Sequence, residues 1–163
     1  MTQSNSILIG EGLPNIKFGM TKSQIKKILG VPDESEVYAF SEQETDVTEA
    51  WHYDDLGLSL SFDQENDWLL GSIAVSDDQY QLDGLIVIGL DQESLLDKLK
   101  SLSIEEITIE SHIDTDDGTE VILINCEEDN ISFWLEDDIV SEVKWSPRWI
   151  DTDLLEWPSE SDN

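Results

Sequence analysis

Positive charge is what this chain has least of: 8 Lys and Arg stand against 38 Asp and Glu over 163 residues, a formal net charge of -30. Four of the eight cations, Lys17, Lys22, Lys26 and Lys27, fall close together, whereas Ile28 to Asp97 carries 18 carboxylates and no Lys or Arg, and Ser101 to Val143 carries 14 more. Phosphate would be repelled by such a chain, which excludes nucleic acid and anionic membrane as direct partners. Cysteine is nearly absent too. The single thiol, Cys126, rules out an internal disulfide and follows the apolar run Val121 to Ile124, as a structural thiol does. No apolar stretch reaches the roughly 18 residues that span a bilayer. No basic, apolar leader opens the chain and no lipidation cysteine lies near its start, so a cytoplasmic location is expected.

Chemistry is equally sparse. The only histidines, His52 and His112, have no second His or Cys at metal-ligand spacing, and no Gly-Lys-Ser/Thr phosphate loop occurs. Asp114 to Glu120 resembles part of a calcium loop, but Gly118 falls at its fifth position and Asn125 at its twelfth, so an acidic turn is the better reading. No catalytic residue, metal or cofactor is expected.

What is present is order. Hydrophobic residues make up 39% of the chain, six of them Trp, and they come in patterned runs that indicate a folded domain. Phe18-Gly-Met-Thr21 with Ile25 and Leu29 reappears seventy residues later as Ile88-Gly-Leu-Asp91 with Leu95 and Leu99. Thr21 and Asp91 are N-cap residues, Gln24 completes a capping box, and helices are predicted at about Lys22 to Leu29 and Gln92 to Leu99. Glu49 to Tyr53 aligns with Thr119 to Leu123, Leu58 to Phe62 with Ile131 to Leu135, and Leu69 to Val75 with Ile139 to Trp145, which predicts a three-strand antiparallel meander after each helix. Ile104 to His112 reads as a further strand, and Leu82 to Ile88 as a strand joining the halves. Strand alternation puts His52 opposite Trp51 and Tyr53, and separates Phe133 from Trp134.

The expected fold is α+β: one domain over residues 1–163 built of two repeats, about 7–80 and 82–150. The repeats form one mostly antiparallel sheet with helices on one side, and residues 151–163 form a C-terminal tail packing over the last sheet.

Phe18-Gly-Met-Thr21 leading to Leu29-Gly-Val-Pro32 resembles the BamE/SmpA-like repeat, two of which in tandem build the β-lactamase-inhibitor proteins. That resemblance implies two sheets forming one concave protein-binding face. The second copy keeps its Gly and cap but lacks the Leu-Gly-x-Pro ending, and neither the inhibitors' disulfides nor the lipoproteins' anchored Cys is present. In composition and size the chain is similar to acidic bacterial immunity proteins that neutralise basic nuclease toxins.

Taken together, these features lead to the expectation of a non-enzymatic immunity or inhibitor protein, monomeric or weakly dimeric, that covers a basic protein partner such as a nuclease toxin with a carboxylate-rich sheet face. The candidate contacts are Asp54, Asp55, Asp77, Asp78, Glu136, Asp137 and Asp138, with Trp134 as anchor, followed by Asp63, Glu65 and Asp67. The alternatives are a metal-binding or enzymatic domain using the Asp114–Glu120 turn or Cys126 with a histidine, and a structural domain whose acidity reflects a salty habitat.

Overall fold

A computed structural model of the chain describes residues 6–39, 47–64, 67–104, 106–113, 116, 118–127, 129–149 and 155–156. The first helix, α1 (Lys22–Leu29), starts where its capping chemistry puts it. Thr21 Oγ1 accepts from the Gln24 amide at 3.2 Å while Gln24 Oε1 accepts from the Thr21 amide at 2.9 Å. Gly30, at φ 85°, ends it. The second helix, α2 (Gln92–Ser101), begins at Asp91, whose Oδ1 accepts from the Ser94 amide at 2.9 Å, and runs two residues beyond the predicted Leu99. Neither helix is long and apolar enough to cross a membrane.

Each helix precedes four strands. They are β1 (Glu34–Ala39), β2 (Val47–Tyr53), β3 (Leu58–Asp63) and β4 (Leu69–Val75) in the first half, and β7 (Ile107–Ile113), β8 (Glu120–Cys126), β9 (Ile131–Glu136) and β10 (Ile139–Trp145) in the second. All eight form one antiparallel sheet in the order β1-β2-β3-β4-β10-β9-β8-β7. The first meander therefore gains a strand, β1, and the further strand expected at Ile104 to His112 is β7, which extends the second. β1 escaped the reading because Glu-Ser-Glu-Val-Tyr-Ala has no inward apolar alternation: as an edge strand its described side chains are exposed. The predicted joining strand is instead a small hairpin, β5 (Gln81–Leu82) with β6 (Leu85–Ile86). Asp83-Gly84 turns it with both residues at positive φ, as a two-residue hairpin requires.

The two halves reuse the same hydrogen bonds. Gly19 donates to Leu70 O and Leu70 to Met20 O, each at 2.9 Å; Gly89 donates to Val140 O at 2.9 Å and Val140 to Leu90 O at 2.8 Å. A register shift leaves Gly71 without a partner on β3 and Ser141 without one on β9. Left-handed pairs turn β3 into β4 (Asp67, Trp68) and β9 into β10 (Asp137, Asp138). One part of the alignment changes. Trp51 pairs with Leu60 as Ile124 pairs with Phe133, so the position equivalent to Trp51 is Ile124, three residues beyond the Val121 that the seventy-residue offset selects.

Only one sheet face is apolar. Trp51, Tyr53, Leu58, Leu60, Phe62, Ile73, Val75, Ile122, Ile124, Cys126, Ile131, Phe133, Leu135, Val143 and Trp145 are all buried, and with Ile25 of α1 and Leu95 and Leu99 of α2 they form a single cluster. Burying each large aliphatic side chain contributes about 1.5–3 kcal/mol, which is what holds two short helices to the sheet. The loop before α1 adds Ile7, Leu13, Ile16 and Phe18 to the same cluster. After β10, Arg148–Trp149 (β11) pairs with Leu155–Glu156 (β12); the rest of the predicted tail lies outside the described residues.

Candidate partner-binding surface

Strand registers decide which carboxylates meet. Tyr53 pairs with Leu58 and Leu58 with Val75, so the β2–β3 turn and the residues after β4 lie at the same end of the sheet. Asp54 and Asp55 occupy a 3-10 turn closed by Gly57 at φ 57°. A Cβ on Gly57 would lie 2.5 Å from the Asp77 Cβ, so only glycine permits this approach. The Ser76 amide donates to Gly57 O at 2.9 Å, and the Asp54 amide donates to Asp33 Oδ2 at 2.7 Å. Asp33, Asp54, Asp55, Asp77 and Asp78 thus converge. Beneath them Tyr80 donates to Leu56 O at 2.8 Å; burial, and then Asp77, push its phenol up to about 12.

β10 pairs with β4 through Val143 and Val75, so Ile139 to Glu142 run on beyond that same end. The β9–β10 turn with Glu136, Asp137 and Asp138 projects further still, all three exposed, and the Asp137 amide donates to Glu120 O at 3.2 Å. Asp138 borders Glu93 and Asp97 of α2. Asp63 and Asp67 belong to the opposite end, at the β3–β4 turn, where the Thr48 hydroxyl donates to Asp63 Oδ1 at 2.5 Å. Glu65 lies outside the described residues.

The middle of the outer sheet face carries few carboxylates, contrary to the expected acid-rich face. By register it presents Ala50, Ser59, Ser61, Ser72, Ala74, Glu142, Lys144, Ser132 and Asn125, with Tyr38 on edge strand β1 and Trp134 on β9. Hydroxyls and amides pair across strands, as Ser132 does with Asn125 at 2.7 Å. His52 lies on this face, as alternation predicted, with Nδ1 2.8 Å from Ser59 Oγ and Nε2 2.9 Å from Glu36 Oε1. A depression of about 350 Å³ opens between Tyr38, Asp63, Ser72 and Lys144. Trp134 is half-buried opposite Glu142, while its neighbour Phe133 is fully buried. Burial pushes the Glu142 carboxyl up; Lys144 opposes that shift and Glu136 adds to it.

Lys144 is on this face, whereas the lysines of the helices lie elsewhere. Lys22 Nζ reaches Glu49 Oε1 at 2.6 Å and sits 4.4 Å from the Trp68 ring centre, and Lys26 stands 5.5 Å from that of Trp51. Lys98 pairs with Asp83 at 3.2 Å. These contacts tie α1 to β2 and the β3–β4 turn, and α2 to the β5–β6 hairpin.

Among the described residues no three His, Cys, Asp or Glu side chains are grouped to hold a metal; Asp114 and Asp117 of the acidic turn lie outside those residues. Cys126 is buried, and desolvation pushes its thiol up to about 12, so it carries no thiolate at neutral pH. Cys126 pairs with Ile107 and His112 with Val121, opposite ends of the β7–β8 ladder and about 17 Å apart at ~3.4 Å per residue. Sequence reasoning missed Asp33, Glu36 and Tyr38, which follow from the unrecognised β1, and Glu93 and Asp97, which neighbour Asp138 only through tertiary packing.

No protein-family model, curated protein or solved structure matches the chain.

Proposed function

We propose that this chain is a non-enzymatic, cytoplasmic immunity or inhibitor protein that neutralises a basic protein, a nuclease toxin being the kind of partner its charge fits, and that its halves descend from a duplicated BamE/SmpA-like unit. One observation carries the reading: three separate acidic segments, at Asp54-Asp55, Asp77-Asp78 and Glu136 to Asp138, reach the same end of one rigid sheet in a chain of net charge -30. Carboxylates held there substitute for substrate phosphates, accepting charge-assisted hydrogen bonds from Lys and Arg. The protein's field accelerates encounter with a cationic surface. Trp134, half-buried on the outer face, supplies an aromatic anchor beside them. Asp63 and Asp67, at the far end, form a secondary contact.

The test is ionic strength. With the partner isolated at low salt from the source cells, association is expected to slow severalfold between low and physiological salt as the Debye length shrinks to about 8 Å, while dissociation changes less. An association rate indifferent to salt overturns the reading.

A further inference from the structure

Among the described residues no further strand pairs with either side of the eight-stranded sheet, and its two edges differ. β7 pairs with β8 over seven consecutive residue pairs without a register shift, and among the described strands it has no neighbour on its other side. Half of its backbone N–H and C=O groups therefore point away from the sheet. Proteins ordinarily blunt such an edge with lysine, proline or a bulge. β7 (Ile-Thr-Ile-Glu-Ser-His-Ile) has none of these. Two of its inward-facing residues, Ile109 and Ile113, are 47% and 57% exposed. On the outward-facing side Glu110 has no partner among the described residues. At the other edge, Glu36 of β1 is already engaged by Tyr38 and His52.

We propose that the free edge of β7 receives an extended, cationic segment of the basic partner as a ninth strand, with apolar side chains against Ile109 and Ile113 and a Lys or Arg beside Glu110. This rests on the reading of the chain as a binding protein for a cationic partner. Charge selects that occupant over a second copy of the chain. Antiparallel self-pairing centred on the strand would set Glu110 against its own copy, and each chain brings a net charge of -30. A basic strand gains from the same field, and its main-chain hydrogen bonds supply the affinity.

The probe is an alternating lysine–valine heptapeptide, with a control of equal charge whose central valine is proline, read by amide hydrogen exchange of the full chain. The alternating peptide is expected to slow exchange of outward β7 amides by about tenfold while leaving β1 within about twofold, and the proline control is expected to bind about tenfold more weakly. Equal affinity for the two peptides, or protection confined to β1, overturns the proposal. Ile109→Lys, with folding verified by its unfolding midpoint, is expected to abolish the protection; Glu110→Lys keeps the backbone edge and is expected to weaken binding severalfold. A natural partner that still associates in a salt-dependent way and binds Ile109→Lys as tightly as the parent overturns the edge proposal alone. A salt-indifferent association rate removes the binding-protein reading instead.

Discussion

The two halves share a backbone plan and differ in charge. α1 carries Lys22, Lys26 and Lys27, with Lys22 in a close pair with Glu49 and three aromatic rings, Phe62, Trp68 and Trp51, beneath the cations. α2 carries Glu93 and Asp97 toward the Asp138 turn. Caps, bulges and left-handed turns recur at matching places in both. The same backbone geometry thus rests on a few capping, glycine and apolar positions, and the surface charge above them differs between the halves. In the first half the helix pairs one lysine with a sheet carboxylate; in the second, Glu93 and Asp97 face Asp138 while Lys98 and Lys100 stand in the last turn.

The sharpest way to break this comparison is to remove one core anchor from each helix. Ile25→Ala and Leu95→Ala are each expected to cost about 2–5 kcal/mol in urea unfolding, because both side chains are fully buried. A loss below about 1 kcal/mol at Ile25 alone would mean that the lysine contacts, and not the core, hold α1.

Changing Glu136, Asp137 and Asp138 together to Ser is expected to leave the melting temperature unchanged or slightly higher, since three adjacent like charges at an exposed tip repel one another. The same change is expected to weaken partner binding by at least about 1 kcal/mol. Unaltered affinity would move the contact to the Asp54, Asp55, Asp77 and Asp78 cluster or to the opposite end.

Titration separates the halves by a smaller effect. Hydrogen bonding to Lys22 holds the Glu49 carboxyl below its usual range. Its stabilisation is therefore present above the unfolded pKa and is lost as pH falls through the lower folded value. Burial holds Glu142 above the usual range, so its protonation favours the folded state and stability rises as pH falls through that raised value. Glu49→Gln is expected to flatten the acid-side decline, and Glu142→Gln to stabilise the protein at neutral pH, each by up to about 1 kcal/mol. Opposite signs in measured unfolding free energy between pH 7 and pH 4 would refute the assignment.

Both helices were legible in the residues because capping is local: Thr21 with Gln24, and Asp91 with Ser94, satisfy amides three positions away. The inner strands were legible for a similar reason, since Leu58, Leu60 and Phe62 write their burial directly as alternation. β1 was not, because an edge strand with exposed side chains carries no such pattern. The shift that places Ile124 at the position of Trp51 was also hidden, since register follows the pairing partner and short apolar runs fit several offsets.

By itself the sequence determined the charge, the caps and the apolar stripes, because each depends on residue identity or on neighbours within a few positions. Only the tertiary structure decided that Asp54, Asp77 and Asp137 reach one end of the sheet while Asp63 reaches the other, that Cys126 and His112 stay apart, and that β7 is an edge among the described strands. Those outcomes depend on strand order and register, which are set by long-range pairing between segments distant in the chain.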